Sequence, residues 1–132
     1  MSKQKINIEH ALNSKSTALI WNLISTPEGL SRWMADEITQ EENQLTFLWG
    51  ETWSNHQMHK AMILEKDKFH SIRIQWDSQV EDNAYMEIKM VKSGLDENYI
   101  LEITDFAEPD ETEDQKDLWE RDFDRLHQAT GL

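Results

Sequence analysis

Thr26-Pro27-Glu28-Gly29-Leu30-Ser31-Arg32-Trp33-Met34-Ala35-Asp36 is the stretch on which the fold turns. Pro27 suits the first position of a helix, where its missing N–H costs nothing, and Thr26 before it is a good cap. Leu30, Trp33 and Met34 then fall on one face of one or two helical turns. Upstream, residues 14–25 read as a helix capped by Ser14 or Ser16. Leu19, Ile20, Leu23 and Ile24 form its apolar stripe, with Trp21 beside it. Before that helix, residues 5–12 alternate as a half-buried strand, with Ile6, Ile8, His10 and Leu12 on one face.

Downstream of Asp36 the period changes from helical to two. A short strand at 37–40 and a turn at Glu41-Glu42-Asn43 lead to a strand whose inner face is Leu45, Phe47 and Trp49. Gly50-Glu51 turns the chain. Residues 52–66 form a long strand, with an imperfect alternation around 56–61 that predicts a bend or bulge there. After a turn at Asp67-Lys68, residues 69–76 place His70, Ile72, Ile74 and Trp76 on one face. Met86, Ile88 and Met90 follow on the next strand, and Tyr99, Leu101 and Ile103 on the last. Pro109 ends the sheet. The acidic residues 110–114 suit a helix N-terminus, Trp119, Phe123 and Leu126 recur at i, i+4, i+7, and Gly131 is a plausible stop.

Composition narrows the function classes. Residues 1–132 read as a single domain, long enough to bury roughly two thirds of its unfolded surface. The net charge of -13 repels phosphate backbones and anionic lipid, so neither nucleic acid nor a membrane surface is an expected partner. With no Cys there is no thiol nucleophile and no thiolate metal site. No apolar run approaches the roughly 18 residues of a membrane span, and the N-terminus leads into a strand and not an apolar leader, so the expected location is cytoplasmic.

No catalytic constellation is visible: there is no Gly-rich phosphate loop, no GxSxG elbow and no Ser/His/Asp spacing. His56 and His59 point to opposite faces of a strand, and without a third ligand a metal site is not expected; nor is any cofactor. His10 and His70, on apolar strand faces, read either as polar groups in a pocket or as hydrogen-bonded core histidines. His127 lies close to a helix C-terminus. The acidic residues 110–117 read as a solvated helix start. The six Trp residues are the strongest lead. Trp21 and Trp33, at helical spacing, read as core. Trp49, Trp76, Trp119 and Phe123 read equally as cavity lining or solid core, and Met58, Met86 and Met90 add adaptable apolar surface.

The order of elements, the Thr26-Pro27-Glu28…Leu30…Arg32-Trp33 stretch, the hairpin ending in Gln75-Trp76, and Trp119-Glu120-Arg121-Asp122-Phe123 together resemble the START-like (SRPBCC, helix-grip) superfamily. The nearest branch is the one named after the activator of heat-shock-protein ATPase. The resemblance implies an α+β fold in which a curved antiparallel sheet of six or seven strands wraps a long C-terminal helix, with two short helices after the first strand. It also implies an internal cavity between sheet and last helix, lined by Trp49, His70, Ile74, Trp76, Met86, Met90, Leu101, Trp119 and Phe123. Three functions are then open, in this order: non-enzymatic binding of a small hydrophobic, lipid-like molecule; a protein-interaction module meeting a basic partner; and a cyclase- or hydrolase-like enzyme. Cavity size separates the first two, since about 300 Å³ or more favours a ligand.

Overall fold

The computed structural model describes residues 3–50, 57–81 and 83–132. Strand β1 (Gln4–Ala11) is followed by helix α1 (Thr17–Ser25) and the single-turn helix α2 (Pro27–Leu30). Six strands come next: β2 (Glu37–Glu41), β3 (Gln44–Trp49), β4 (Gln57–Asp67), β5 (Ser71–Trp76), β6 (Met86–Lys92) and β7 (Tyr99–Ala107). Helix α3 (Thr112–Thr130) closes the chain. All seven strands form one open sheet in the order β1-β7-β6-β5-β4-β3-β2, every neighbouring pair antiparallel. The expected α+β helix-grip architecture is present, with seven strands among the described residues.

Local signals explain most of the boundaries. Ser16 caps α1, its hydroxyl accepting the Leu19 N–H, and Thr26 caps α2 by accepting from Gly29. Gly131, at φ 76°, ends α3 in the left-handed conformation that glycine adopts without steric cost. Glu42, at φ 55°, takes the same region in the tight turn between β2 and β3.

One side of the sheet is apolar, and Leu45, Phe47, Ala61, Ile72, Ile74, Ile88, Leu101 and Ile103 are buried there. Helices α1 and α3 cover it with Ile20, Leu23, Ile24, Trp119, Phe123 and Leu126. Trp33 ties the layers together. It is fully buried, its indole N–H donates to the Leu23 carbonyl at 3.0 Å, and its ring lies 6.2 Å from Trp119 and 6.1 Å from Phe123. Outside the core, Glu87 is a buried carboxylate on β6, and Arg73 at 2.8 Å and Lys89 at 3.6 Å neutralise it.

Several expectations need correcting. Leu19 is exposed, so the α1 stripe is Ile20, Leu23 and Ile24. Trp21 is only half-buried, lying 6.2 Å edge-on from the exposed Phe69. The irregularity expected around 56–61 falls, among the described residues of β4, between Ile63 and Glu65 and not within 57–61, and it lets both ends of the strand keep their pairing with β5. β5 begins at Ser71 because the preceding residues form a turn: Phe69 sits at φ 65° and the His70 N–H donates to the Asp67 carbonyl at 2.9 Å. The start of the 52–66 strand, Trp53 and His56 lie outside the described residues. Among the described residues no helix is long and apolar enough to cross a membrane.

Candidate functional site

β7 keeps its alternation beyond Tyr99, Leu101 and Ile103, so the next inward position is Asp105. A carboxylate buried there needs donors. It accepts the Trp119 indole N–H at 2.9 Å, the Gln115 amide at 2.8 Å and the Phe106 backbone N–H at 2.8 Å. The buried Gln79, whose carbonyl oxygen accepts the Trp76 backbone N–H, adds a further side-chain bond. Burial pushes the Asp105 carboxyl pKa up, and these donors, Trp119 foremost, pull it back. Asp105 thus fixes the Trp119 ring and ties α3 to β7.

α3 packs on the β1–β7 side of the sheet. Across the remaining sheet its N-terminal half faces β3, β4, β5 and β6 over a gap, and that gap is a cleft of about 480 Å³. Gln115, Leu118, Trp119 and Asp122 border it from α3 at i, i+3, i+4, i+7. Opposite them stand Trp49, Trp76, Met86 and Met34, with Gln57, His59 and Ser78 at the mouth. The aromatic wall is continuous: Phe47 lies 4.5 Å from Trp76 and 5.8 Å from Trp49. The exposed His59 ring meets Trp49 at 5.6 Å and Trp76 at 6.4 Å, both edge to face. Trp49 is oriented by its indole N–H, which donates to the Met34 carbonyl at 2.8 Å.

Asp122 is the second carboxyl of the cleft. It is half-buried, and desolvation pushes its pKa up to about 7, against a smaller opposing pull from Arg125. The Arg125 guanidinium is engaged elsewhere, donating to the Ala35 carbonyl at 3.2 Å and to Asp36 at 3.4 Å. Among the described residues, none hydrogen-bonds or ion-pairs with the Asp122 carboxylate. Because the folded-state pKa lies above the ordinary 3.8, this group's stabilising contribution is present at low pH and is lost between about pH 4 and 7. Asp122→Asn should therefore stabilise the protein at pH 8 by roughly 1–2 kcal/mol, allowing for solvent at the half-buried group, and by much less at pH 4. Urea denaturation at the two pH values measures it, and an equal effect at both would contradict the electrostatic origin.

The residues expected from sequence separate into three groups. Trp49, Trp76, Met86 and Trp119 line the cleft. Ile74, Met90, Leu101 and Phe123 are buried in the adjoining core and do not border it. His70 is misplaced by the sequence reading: it sits exposed in the β4–β5 turn, its ring 3.4 Å from Asp67, because the strand starts one residue after it. His10 is neither in the buried core nor in the cleft: it is half-buried on β1, stacked on Phe123 at 4.3 Å with its pKa lowered chiefly by burial. Sequence reasoning missed Asp105 and Asp122. Continued period-two alternation in β7 marks Asp105, and the helical spacing from Gln115 and Trp119 marks Asp122. Among the described residues no cluster of three or more His, Asp or Glu is placed to hold a metal ion.

A sheet gripping a C-terminal helix, with a cleft between them, is matched at the level of sequence by the START-like superfamily domain, whose family model spans residues 1–132. The chain belongs to the START-like superfamily. No functionally curated protein matches it. A protein from Bacteroides fragilis, solved by NMR in solution, is 38% identical, with 97% of this chain and 91% of that one aligned and a TM-score of 0.65. The AHSA1-like protein of Aeromonas hydrophila shares the fold at 14% identity and a TM-score of 0.75, covering 97% and 92% of the two chains. The Aha1 dimer of Colwellia psychrerythraea does so at 12% identity and a TM-score of 0.72, covering 97% and 98%.

Proposed function

We propose that this START-like protein is a non-enzymatic binding protein that takes a small, largely apolar molecule into the cleft between the sheet and α3. The observation that carries the reading is the volume, about 480 Å³, which exceeds the roughly 300 Å³ at which small-molecule sites begin. Its walls support it: three indole rings and two Met side chains supply apolar contact, and a few polar groups converge from β7 and α3. Asp105, saturated by its donors, serves to position Trp119.

The test is titration with the neutral fluorophore N-phenyl-1-naphthylamine. It should bind with one-to-one stoichiometry and quench Trp fluorescence. Trp76→Ala should weaken binding about tenfold or more, equivalent to about 1.4 kcal/mol, whereas Trp21→Ala, at a residue that does not border the cleft, should leave it nearly unchanged. Equal loss at both positions would signify general destabilisation and defeat the assignment. A second reading, a module that docks a basic protein partner, draws support from the outward face of α3, where Glu113, Asp117, Glu120 and Asp124 are all exposed. It becomes the preferred reading if the fluorophore does not bind.

A further inference from the structure

We propose that the molecule bound in the cleft is an apolar organic cation, an amine or quaternary ammonium compound whose charged end lies against the Asp122 carboxylate among Trp49, Trp76 and Trp119. This rests on the reading of the cleft as a ligand site and adds the chemical class of the ligand.

Four observations converge. The cleft wall is built from indoles, whose electron-rich faces attract cations, with Trp the best of the aromatic residues at this. The two carboxyls of the cleft differ in what they lack. Asp105 is satisfied by protein donors, whereas Asp122 is desolvated and unpaired among the described residues. No described buried side-chain oxygen is without a partner, so the Asp122 oxygens remain reachable from the cleft. Finally, no Lys or Arg borders the cleft among the described residues. An anionic ligand would meet two carboxyls and no counter-charge. A neutral apolar ligand would strip water from Asp122 and put nothing in its place. A cation alone satisfies both the rings and the carboxylate, and the net charge of -13 steers cations toward the protein.

Proton and ligand then compete for Asp122. Besides Asp105 on β7, the charged or titratable groups around it are His59 on β4 and Arg125 on α3.

The experiment compares three probes of one shape by isothermal titration and by shifts of the Trp indole N–H resonances. They are 3-phenylpropyl-trimethylammonium, its neutral tert-butyl carbon analogue, and the anion 4-phenylbutyrate. At pH 8 the ammonium probe should bind at least tenfold more tightly than the neutral analogue, and the anion should bind least. Between pH 8 and pH 6 the ammonium affinity should fall by up to about tenfold, because Asp122 titrates near 7, while the neutral analogue should hold or gain affinity, since it no longer desolvates a charged carboxylate. Asp122→Asn should reduce the ammonium probe to the affinity of the neutral one, and Asp122→Glu should restore part of the preference. If the neutral analogue binds as well as the cation, or the anion binds best, the charge assignment is overturned while the cleft remains a ligand site. If no probe shifts the resonances of Trp76 or Trp119, both readings fall.

Discussion

Trp119→Ala should lower the unfolding free energy by about 3–5 kcal/mol, the cost of truncating a buried aromatic whose cavity the surroundings refill only in part. Trp119 is 3% exposed, with its ring 6.2 Å from Trp33 and 6.0 Å from Phe123, so its loss empties the middle of the aromatic cluster. The indole N–H adds a second cost. It donates to Asp105, and without it a buried carboxylate loses one of its donors. Trp119→Phe separates the two contributions, since it keeps most of the ring volume and removes the donor. It should cost about 1–3 kcal/mol. Urea denaturation measures both variants. A loss below about 1 kcal/mol for Trp119→Ala would mean that α3 does not depend on this contact to hold the sheet.

Gly29→Ala should destabilise the protein at or beyond the upper end of the roughly 1–3 kcal/mol typical of overpacking. The reason is close approach. A Cβ on Gly29 would lie 2.0 Å from the Asn22 carbonyl oxygen and 2.7 Å from both the Asn22 carbonyl carbon and the Leu23 Cα. All three atoms are backbone of α1, so no side-chain rotation relieves the clash, and α1 and α2 must move apart. That separation strains the bond from the Thr26 hydroxyl to the Asn22 carbonyl, 2.8 Å, and the bond from Trp33 to the Leu23 carbonyl, 3.0 Å. The urea midpoint should drop sharply. A variant within about 0.5 kcal/mol of the wild type would show that the two helices tolerate a wider spacing.

The same residues show how far the sequence could be read. Thr26-Pro27 and Leu30…Trp33 encode the α2 turn and its burial locally, through cap chemistry and helical spacing. Periodicity located β1, β3, β6, β7 and α3, because each turns an alternating or helical set of apolar residues toward the core. It failed at the ends of elements. His70 continues the apparent alternation of β5, yet the φ 65° turn at Phe69 claims it, and hydropathy carries no record of a left-handed residue. Leu19 looked like core because the helical stripe is wide enough to include it, while the packed seam is narrower.

The cleft shows the remaining limit. Trp49, Trp76, Trp119 and Phe123 carry the same sequence signal, an aromatic side chain on an inward face, and that signal does not separate a filled core from a lined cavity. The tertiary structure separates them through the seat of α3. Packed on β1 and β7, it buries Phe123 against His10 and Trp33 and stands off from Trp49 and Trp76. By itself the sequence determined the order of elements and which side chains point inward, since both follow from local period and capping. The tertiary structure alone decided which inward residues meet a partner and which face the cleft, and that Asp105 would be satisfied while Asp122 would not. Those outcomes depend on the distance between α3 and strands far from it in the chain, which no local pattern encodes.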